Sequence, residues 1–566
     1  VNREASRITR RSFALALGAA GTPGQLESQT PRTALLGEPV RILGNRLVFN
    51  GWHWVRPGGF AWVSPKQPGG GLEADVAPGE AQIRRTDVPW GVELVTHPAE
   101  RVGPLLRPEA PWEEGVGVKF TTVRKDQGMY RAWGMPTDTS GRPKGQRFFC
   151  YYESHDGYAW KRPVVGICPF EGSMANNILN RSTHDYTKAD KSTPMEFRKP
   201  EVYSGTVFLD PSAGAAERYK LIALGNIGKE TFDRYRRQRP GAFDAREEDD
   251  FDEKDGAKAV RGGVSPDGIH WQFLPDPLVV EPSDTHLVAC FDPNLRRYVA
   301  YTRKRTGMRR AEGRSAREQR TTDPLRRCVG RSETGDFRAF PVSEVVLELA
   351  PHHPPAAELY TNCRTALPGA PDHHLMFPAL WSNWDDTTRF PVAVSPDGVR
   401  WNWLPGDPVF GPGPPGEWDA GAIFTFPEMT ELGDGSWVLP YVGYNVPHKY
   451  PRGQWRFMPG YARWPGGRVV GIRADREGGF ATIGLIPPGR ELRINVRGGS
   501  VRVEAAGLDG LPLPGRSFAD CSEVRGDHRG AVVGWRGGSG LNHRVDQAVL
   551  LRFQLRQATV FWVEFA

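Results

Sequence analysis

Acids, histidines and aromatic residues come together at three places in this 566-residue chain: Pro282-Ser283-Asp284-Thr285-His286, Gly416-Glu417-Trp418-Asp419-Ala420-Gly421 and Asn445-Val446-Pro447-His448. Two carboxyl groups that flank an acetal carbon can hydrolyse it. One protonates the leaving oxygen, and the other attacks or activates water. Three acids are candidates for such work. Asp284 directly precedes the apolar run 287–291, Asp419 has space beside it at Ala420-Gly421, and Glu428 stands in Phe426-Pro427-Glu428-Met429 ahead of the turn Gly433-Asp434-Gly435. Each has a plainer reading: Asp284 capping its own turn through Thr285, Asp419 as a loop carboxylate, Glu428 as a solvated acid before a turn. His286, His448 and Asn177 can hydrogen-bond sugar hydroxyls, or serve packing and a turn instead. Trp112 and Trp418 can stack on the apolar face of a sugar ring, or belong to a core.

The elements that must position these residues are strands. Gly and Pro number 66 and 50, which excludes a helical bundle, and 18 Trp with 27 Phe exclude a disordered chain. Three segments share the pattern Ser-x-Asp-Gly-x-x-Trp: Ser154-His155-Asp156-Gly157-Tyr158-Ala159-Trp160, Ser265-Pro266-Asp267-Gly268-Ile269-His270-Trp271 and Ser395-Pro396-Asp397-Gly398-Val399-Arg400-Trp401. Asp accepts hydrogen bonds from nearby N–H groups, Gly takes a positive φ, and Trp anchors the outgoing strand, so each is read as a structural turn. A weaker copy, Ser332-Glu333-Thr334-Gly335-Asp336-Phe337, falls between the last two. Repeats of about 60 residues that contain several short strands indicate propeller blades. The count comes to five.

The expected fold is all-β: a five-bladed β-propeller over 92–466 followed by a C-terminal β-sandwich over 467–566, where polar and apolar residues alternate. Residues 31–91 form a β-rich segment packing on the propeller. Two charged stretches, 229–258 and 304–327, read as solvated insertions. Propellers bind at the mouth of the central channel, so the site is expected where the inner strands begin. Residues 1–30 hold Arg10-Arg11 followed by a short apolar run, the pattern of a twin-arginine export signal, which would place the protein in the periplasm or outside the cell. No run is long enough to span a membrane as a helix. The net charge of +7 is partly local and comes with no nucleic-acid-binding motif, so no nucleic acid is expected as partner. Six scattered cysteines form no CxxC pair and suggest no zinc site, although up to three disulfides remain open.

The three turns, with Phe170-Glu171-Gly172-Ser173, Asn176-Asn177-Ile178, Ser283-Asp284-Thr285-His286 and Trp418-Asp419-Ala420-Gly421, resemble the five-bladed propeller glycoside hydrolase superfamily. Its invertase-like family 32 and arabinanase-like family 43 relatives include exported bacterial members with a C-terminal β-sandwich. The resemblance covers about residue 92 to the C-terminus. It implies hydrolysis of poly- or oligosaccharides by a carboxylate pair at the propeller mouth, with Asp284 or Asp419 as base or stabiliser and Glu428 as acid. The alternative is a carbohydrate-binding propeller without catalysis. No cofactor is implied, and a structural calcium in the channel is compatible with the resemblance. The invertase-like Trp-Met-Asn-Asp-Pro-Asn stretch is absent, and Tyr203-Ser204-Gly205-Thr206 stands where arabinanase-like enzymes place Ile-Asp-Pro.

Overall fold

The computed structural model describes residues 38–566 except 67–75, 78, 115–116, 137–147, 182–202, 244–256, 282, 284–286, 307–325 and 452–453. Residues 1–37, and with them the expected export signal, lie outside the described residues.

Five antiparallel blades, the fourth divided into two sheets, follow one another along the chain and close into a propeller. Blade 1 begins with the inner strand Phe120–Asp126 and continues through Met129–Gly134, Phe148–Ser154 and Ile178–Arg181. Blade 2 runs Tyr203–Leu209, Tyr219–Ile227, Ala257–Ser265 and Gln272–Phe273, and blade 3 runs Val288–Asp292, Arg297–Thr306, Arg326–Thr334 and Glu344–Leu347. In blade 4 the strands bend midway, so Ala357–Thr361 and Arg364–Leu367 form two parts of its inner edge. Blade 5 contains Ala422–Thr425, Trp437–Tyr444 and Phe457–Trp464, and its outermost strand is Glu100–Val102 from the N-terminal side. That pairing links the two ends of the propeller in one sheet. Thr430 on blade 5 then donates its hydroxyl to the Val123 carbonyl of blade 1, which closes the ring (3.1 Å).

Blades bury both faces, and the sequence of a single strand shows how. In Phe148–Ser154, Phe148, Cys150 and Tyr152 join the core between blades 5 and 1, while Phe149 and Tyr151 join the core between blades 1 and 2. Successive side chains on a strand point to opposite faces, so one aromatic run serves two interfaces. Burying each such ring contributes roughly 1.5–3 kcal/mol.

The Ser-x-Asp-Gly turns join the third and fourth strands of blades 1, 2 and 4. In the second, the Asp267 carboxylate accepts the N–H of Ile269 and His270 (2.8 Å each), and Gly268 adopts φ +80°. The carbonyl of that glycine also accepts the indole N–H of Trp133 in blade 1 (2.7 Å). Tyr301 of blade 3 donates to Gly398 of blade 4, and Tyr461 of blade 5 donates to Gly157 of blade 1. Each turn therefore fastens its blade to the preceding one.

The C-terminal strands Val470–Ala481, Leu492–Ala506, Val524–Val532 and Leu550–Phe565 form one six-stranded antiparallel sheet with Arg46–Val48 and Glu93–Thr96. Glu93–Thr96, counted with the propeller in the sequence, thus belongs to this sheet. A single apolar core joins the sheet to blades 4 and 5 through Trp437, Trp464, Ile472 and Phe553. The stretch 229–258, expected as a solvated insertion, contains the helix Lys229–Gln238. Its Phe232 and Tyr235 are buried because they fall on one face, and the Tyr235 hydroxyl donates to the Ala242 carbonyl (2.6 Å). None of the six cysteines forms a disulfide. No helix among the described residues is long and apolar enough to cross a membrane.

Candidate functional site

Four antiparallel strands return the chain to the end from which a blade began. All five inner strands therefore start at one mouth, and the Ser-x-Asp-Gly turns gather at the opposite end. Glu428 lies partway along the inner edge of blade 5. Ala422–Thr425 and Thr430–Glu431 both pair with Trp437–Tyr444, and between them the backbone bulges, with Glu428 at φ +93°. A non-glycine residue in that region is strained, and bulges of this kind re-aim a side chain.

The Glu428 carboxylate accepts a hydrogen bond from Arg124 on the inner strand of blade 1 (2.5 Å), with 31% of its side chain still exposed. Burial raises the Glu428 carboxyl above the usual carboxylate range, against the opposing pull of Arg124 and then of Arg364. Arg364, on the inner edge of blade 4, is deeply buried. It donates to the Cys290 sulfur of blade 3 (3.1 Å) and meets Nδ1 of His374 (2.6 Å). Burial, reinforced by the Arg364 charge, holds His374 neutral, far below the usual histidine range. Burial also raises the Cys290 thiol, with Arg364 pulling the other way. Blades 1, 3, 4 and 5 thus each contribute to one polar belt in the channel. Among the described residues, the groups that act on Glu428 are the two arginines and no second carboxylate.

A second cluster stands nearer the mouth, around Tyr360 on the inner edge of blade 4. His448 Nε2 lies 2.7 Å from the Tyr360 hydroxyl. The His448 ring stacks on Trp455 (centroids 6.0 Å apart, 18° between planes) and meets Phe424 edge-on at 4.9 Å. The Arg327 guanidinium covers the Tyr360 ring at 4.2 Å, and Lys449 stands 5.4 Å from the same ring and 5.0 Å from that of Trp381.

The remaining sequence candidates stand elsewhere. Asp284 and His286 lie outside the described residues. Asp419 is buried between blades 4 and 5, where its carboxylate accepts the Tyr441 hydroxyl (2.8 Å) and lies 3.6 Å from Arg101 on the outermost strand of blade 5. It shares neither partner with Glu428. Glycine at 413 and 443 makes this fit possible, since a Cβ at either would stand 2.2–2.4 Å from Asp419. Trp418 stacks on Tyr441 (5.6 Å, 18°) over Gly443 and Gly460, which is packing within a blade. Asn177 pairs with the third strand of blade 1, its amide donating to the Tyr151 carbonyl (2.8 Å), and is fully buried there. Trp112 packs edge-on against Phe170 (5.6 Å) on the outer part of the same blade.

Of the described candidates, His448 stands at the mouth and Glu428 in the channel. Sequence reading missed Arg124, Arg364, Tyr360 and Arg327. The one available signal was an arginine inside an otherwise buried inner strand, as in Phe-Thr-Thr-Val-Arg at 120–124. His286 and Asp284 aside, no group of three or more His, Cys, Asp or Glu residues able to hold a metal ion occurs among the described residues.

No protein-family model and no curated protein matches the chain. Solved structures similar to it include a family 62 hydrolase in complex with xylotriose, at 14% identity over 65% of this chain and 97% of that one, with a TM-score of 0.36. An α-L-arabinofuranosidase from Podospora anserina in complex with cellotriose is similar at 12% identity, over 65% of this chain and 97% of that one, with a TM-score of 0.38. The family 32 β-fructofuranosidase of Bombyx mori is similar at 10% identity, covering 82% of this chain and 95% of that one, with a TM-score of 0.33.

Proposed function

We infer that the protein is an exported glycoside hydrolase that takes up a poly- or oligosaccharide at the propeller mouth. The observation that carries this reading is Glu428: a strained carboxyl on an inner-strand bulge, directed at the channel, with its acidity weakened by burial although two arginines stand near it. A carboxyl whose acidity is weakened by burial gives up its proton less readily to water and is suited to donate it to an acetal oxygen as that oxygen leaves. The half-exposed Trp455 and His448 rings offer apolar surface near the mouth, beside the Tyr360 hydroxyl. The second carboxyl is assigned to Asp284, from its place in the sequence immediately before the inner strand of blade 3. Export rests on the Arg10-Arg11 segment.

The test is release of new reducing ends from a panel of neutral and acidic polysaccharides, beside the Glu428→Gln variant. The variant is expected to lose at least about 100-fold in turnover while still binding the substrate. One observation favours a second reading, a carbohydrate-binding propeller without catalysis: among the described residues, the partners that act on Glu428 are two cations and no second acid. Saccharide binding with no release from any member of the panel would select it.

A further inference from the structure

Four cations line the path from the mouth to the belt around Glu428. Arg327 and Lys449 stand over the Tyr360 ring, and Arg124 and Arg364 flank Glu428. Against them are Glu428 itself, Glu358, whose carboxylate is 3.2 Å from Arg327 Nε, and Asp386, which accepts the backbone N–H of Lys449 (2.6 Å) and the indole N–H of Trp381 (2.7 Å). Three of these guanidinium groups hold buried N–H groups with no hydrogen-bond acceptor among the described residues: Nε of Arg124, Nε of Arg364, and Nε and Nη1 of Arg327. Glu358 forms an ion pair with Arg327 but makes no hydrogen bond to its Nε or Nη1. A buried donor left unmade costs about 1–3 kcal/mol, so a site that keeps several is suited to a ligand that brings acceptors. Guanidinium in particular matches the fork of a planar oxyanion. The half-exposed His448 and Trp455 rings, stacked on each other, supply the apolar surface that a pyranose face requires, while Trp381 is buried and Arg327 covers the Tyr360 ring.

We propose that the glycan bound at this mouth is anionic, with a ring carboxylate or sulfate ester held by Arg327 and Lys449 while the sugar lies against the half-exposed rings of His448 and Trp455. This deepens the reading of the channel as a saccharide site and rests on it. The Arg327–Tyr360 contact spans blades 3 and 4, so the anion would be held where the two blades meet.

Calorimetry on the purified full chain tests the proposal, with galacturonate, glucuronate and mannuronate trisaccharides each compared with its methyl ester, and with a sulfated galactan oligomer as a further arm. The ester keeps the shape and removes the charge. At least one free acid is expected to bind tenfold or more tightly than its ester, and to weaken as salt is raised from 20 to 200 mM, a range over which exposed charges become screened. Tighter binding of the sulfated oligomer alone would support the proposal with sulfate as the anion. Arg327→Gln is expected to lose tenfold in affinity for the acid and little for the ester. Lys449→Gln, an exposed change that leaves the fold intact, should lose about threefold in the same selective way. Equal affinity for acids and esters, and no preference for the sulfated oligomer, would overturn the proposal. A neutral glycan that is bound and cleaved would overturn it while the hydrolase reading stands, whereas acid-selective binding without release would do the reverse.

Discussion

Glu428 and Asp419 are both carboxylates of blade 5 with opposite surroundings, and they should respond to mutation in opposite ways. The folded-state pKa of Glu428 is raised, so ionising it costs folding free energy at neutral pH. That cost is present above the folded pKa and disappears as pH falls toward the unfolded value. Glu428→Gln removes the charge, so its melting temperature at pH 7 should equal or exceed that of the parent, and the gap should close below about pH 4. A variant that melts well below the parent at pH 7 would mean that the Arg124 pair outweighs burial. Asp419→Asn should do the contrary. It weakens the bonds to Tyr441 and Arg101 in a closed space, costing about 1–3 kcal/mol, while turnover per folded molecule is kept. Loss of turnover with unchanged stability would place Asp419 in the chemistry after all. The sequence displayed both acids but not this difference. Glu428 meets Arg124 across 304 positions, and Asp419 meets Arg101 from the far end of the same sheet. No local pattern encodes which acid faces the channel.

At the scale of the element, the Ser-x-Asp-Gly turns were legible because every hydrogen bond that defines them lies within a few residues. Their second task was not, since the indole that docks on Gly268 comes from blade 1. The turn also carries a pH signature. Burial would raise the Asp267 carboxyl, but bonds from the His270 side chain and from the N–H groups of His270 and Ile269 outweigh it and bring the group to about 2. A depressed carboxylate stabilises the fold above its unfolded pKa, and that contribution is lost as pH falls through 2. Asp267→Ala should therefore lower the melting temperature at pH 7 and converge on the parent near pH 2. A difference that persists unchanged at pH 2 would assign the effect to packing rather than charge. Gly268→Ala should be worse at every pH, because a Cβ there would stand 2.6 Å from Trp133 on a backbone at φ +80°.

For the molecule as a whole, the spacing of the repeated turns announced five blades, yet the closure could not be seen in it. The strand Glu100–Val102 is three residues long and carries two charges, so nothing local marks it as the outer edge of a blade that ends 360 residues later. The same holds for Arg46–Val48 and Glu93–Thr96, which complete the C-terminal sheet. Trp437 and Trp464 of blade 5 share one core with Ile472, Phe480 and Phe553 of that sheet. Removing 467–566 would expose this core, and apolar surface returned to water costs about 25 cal/mol per Å². A chain cut to 92–466 should therefore lack a cooperative melting transition and be digested by protease far faster than the full chain, even though all five blades remain encoded. Cooperative melting of the cut chain within a few degrees of the parent would instead make the propeller an independent folding unit, with its ring held by Glu100–Val102 and by the contacts of Thr430 and Tyr461 with blade 1. If a chain cut to 38–466, which keeps every N-terminal strand, fails to fold while the chain 38–566 melts as the parent does, the C-terminal sheet is needed to hold blade 5 against blade 1, and so to keep Glu428 opposite Arg124.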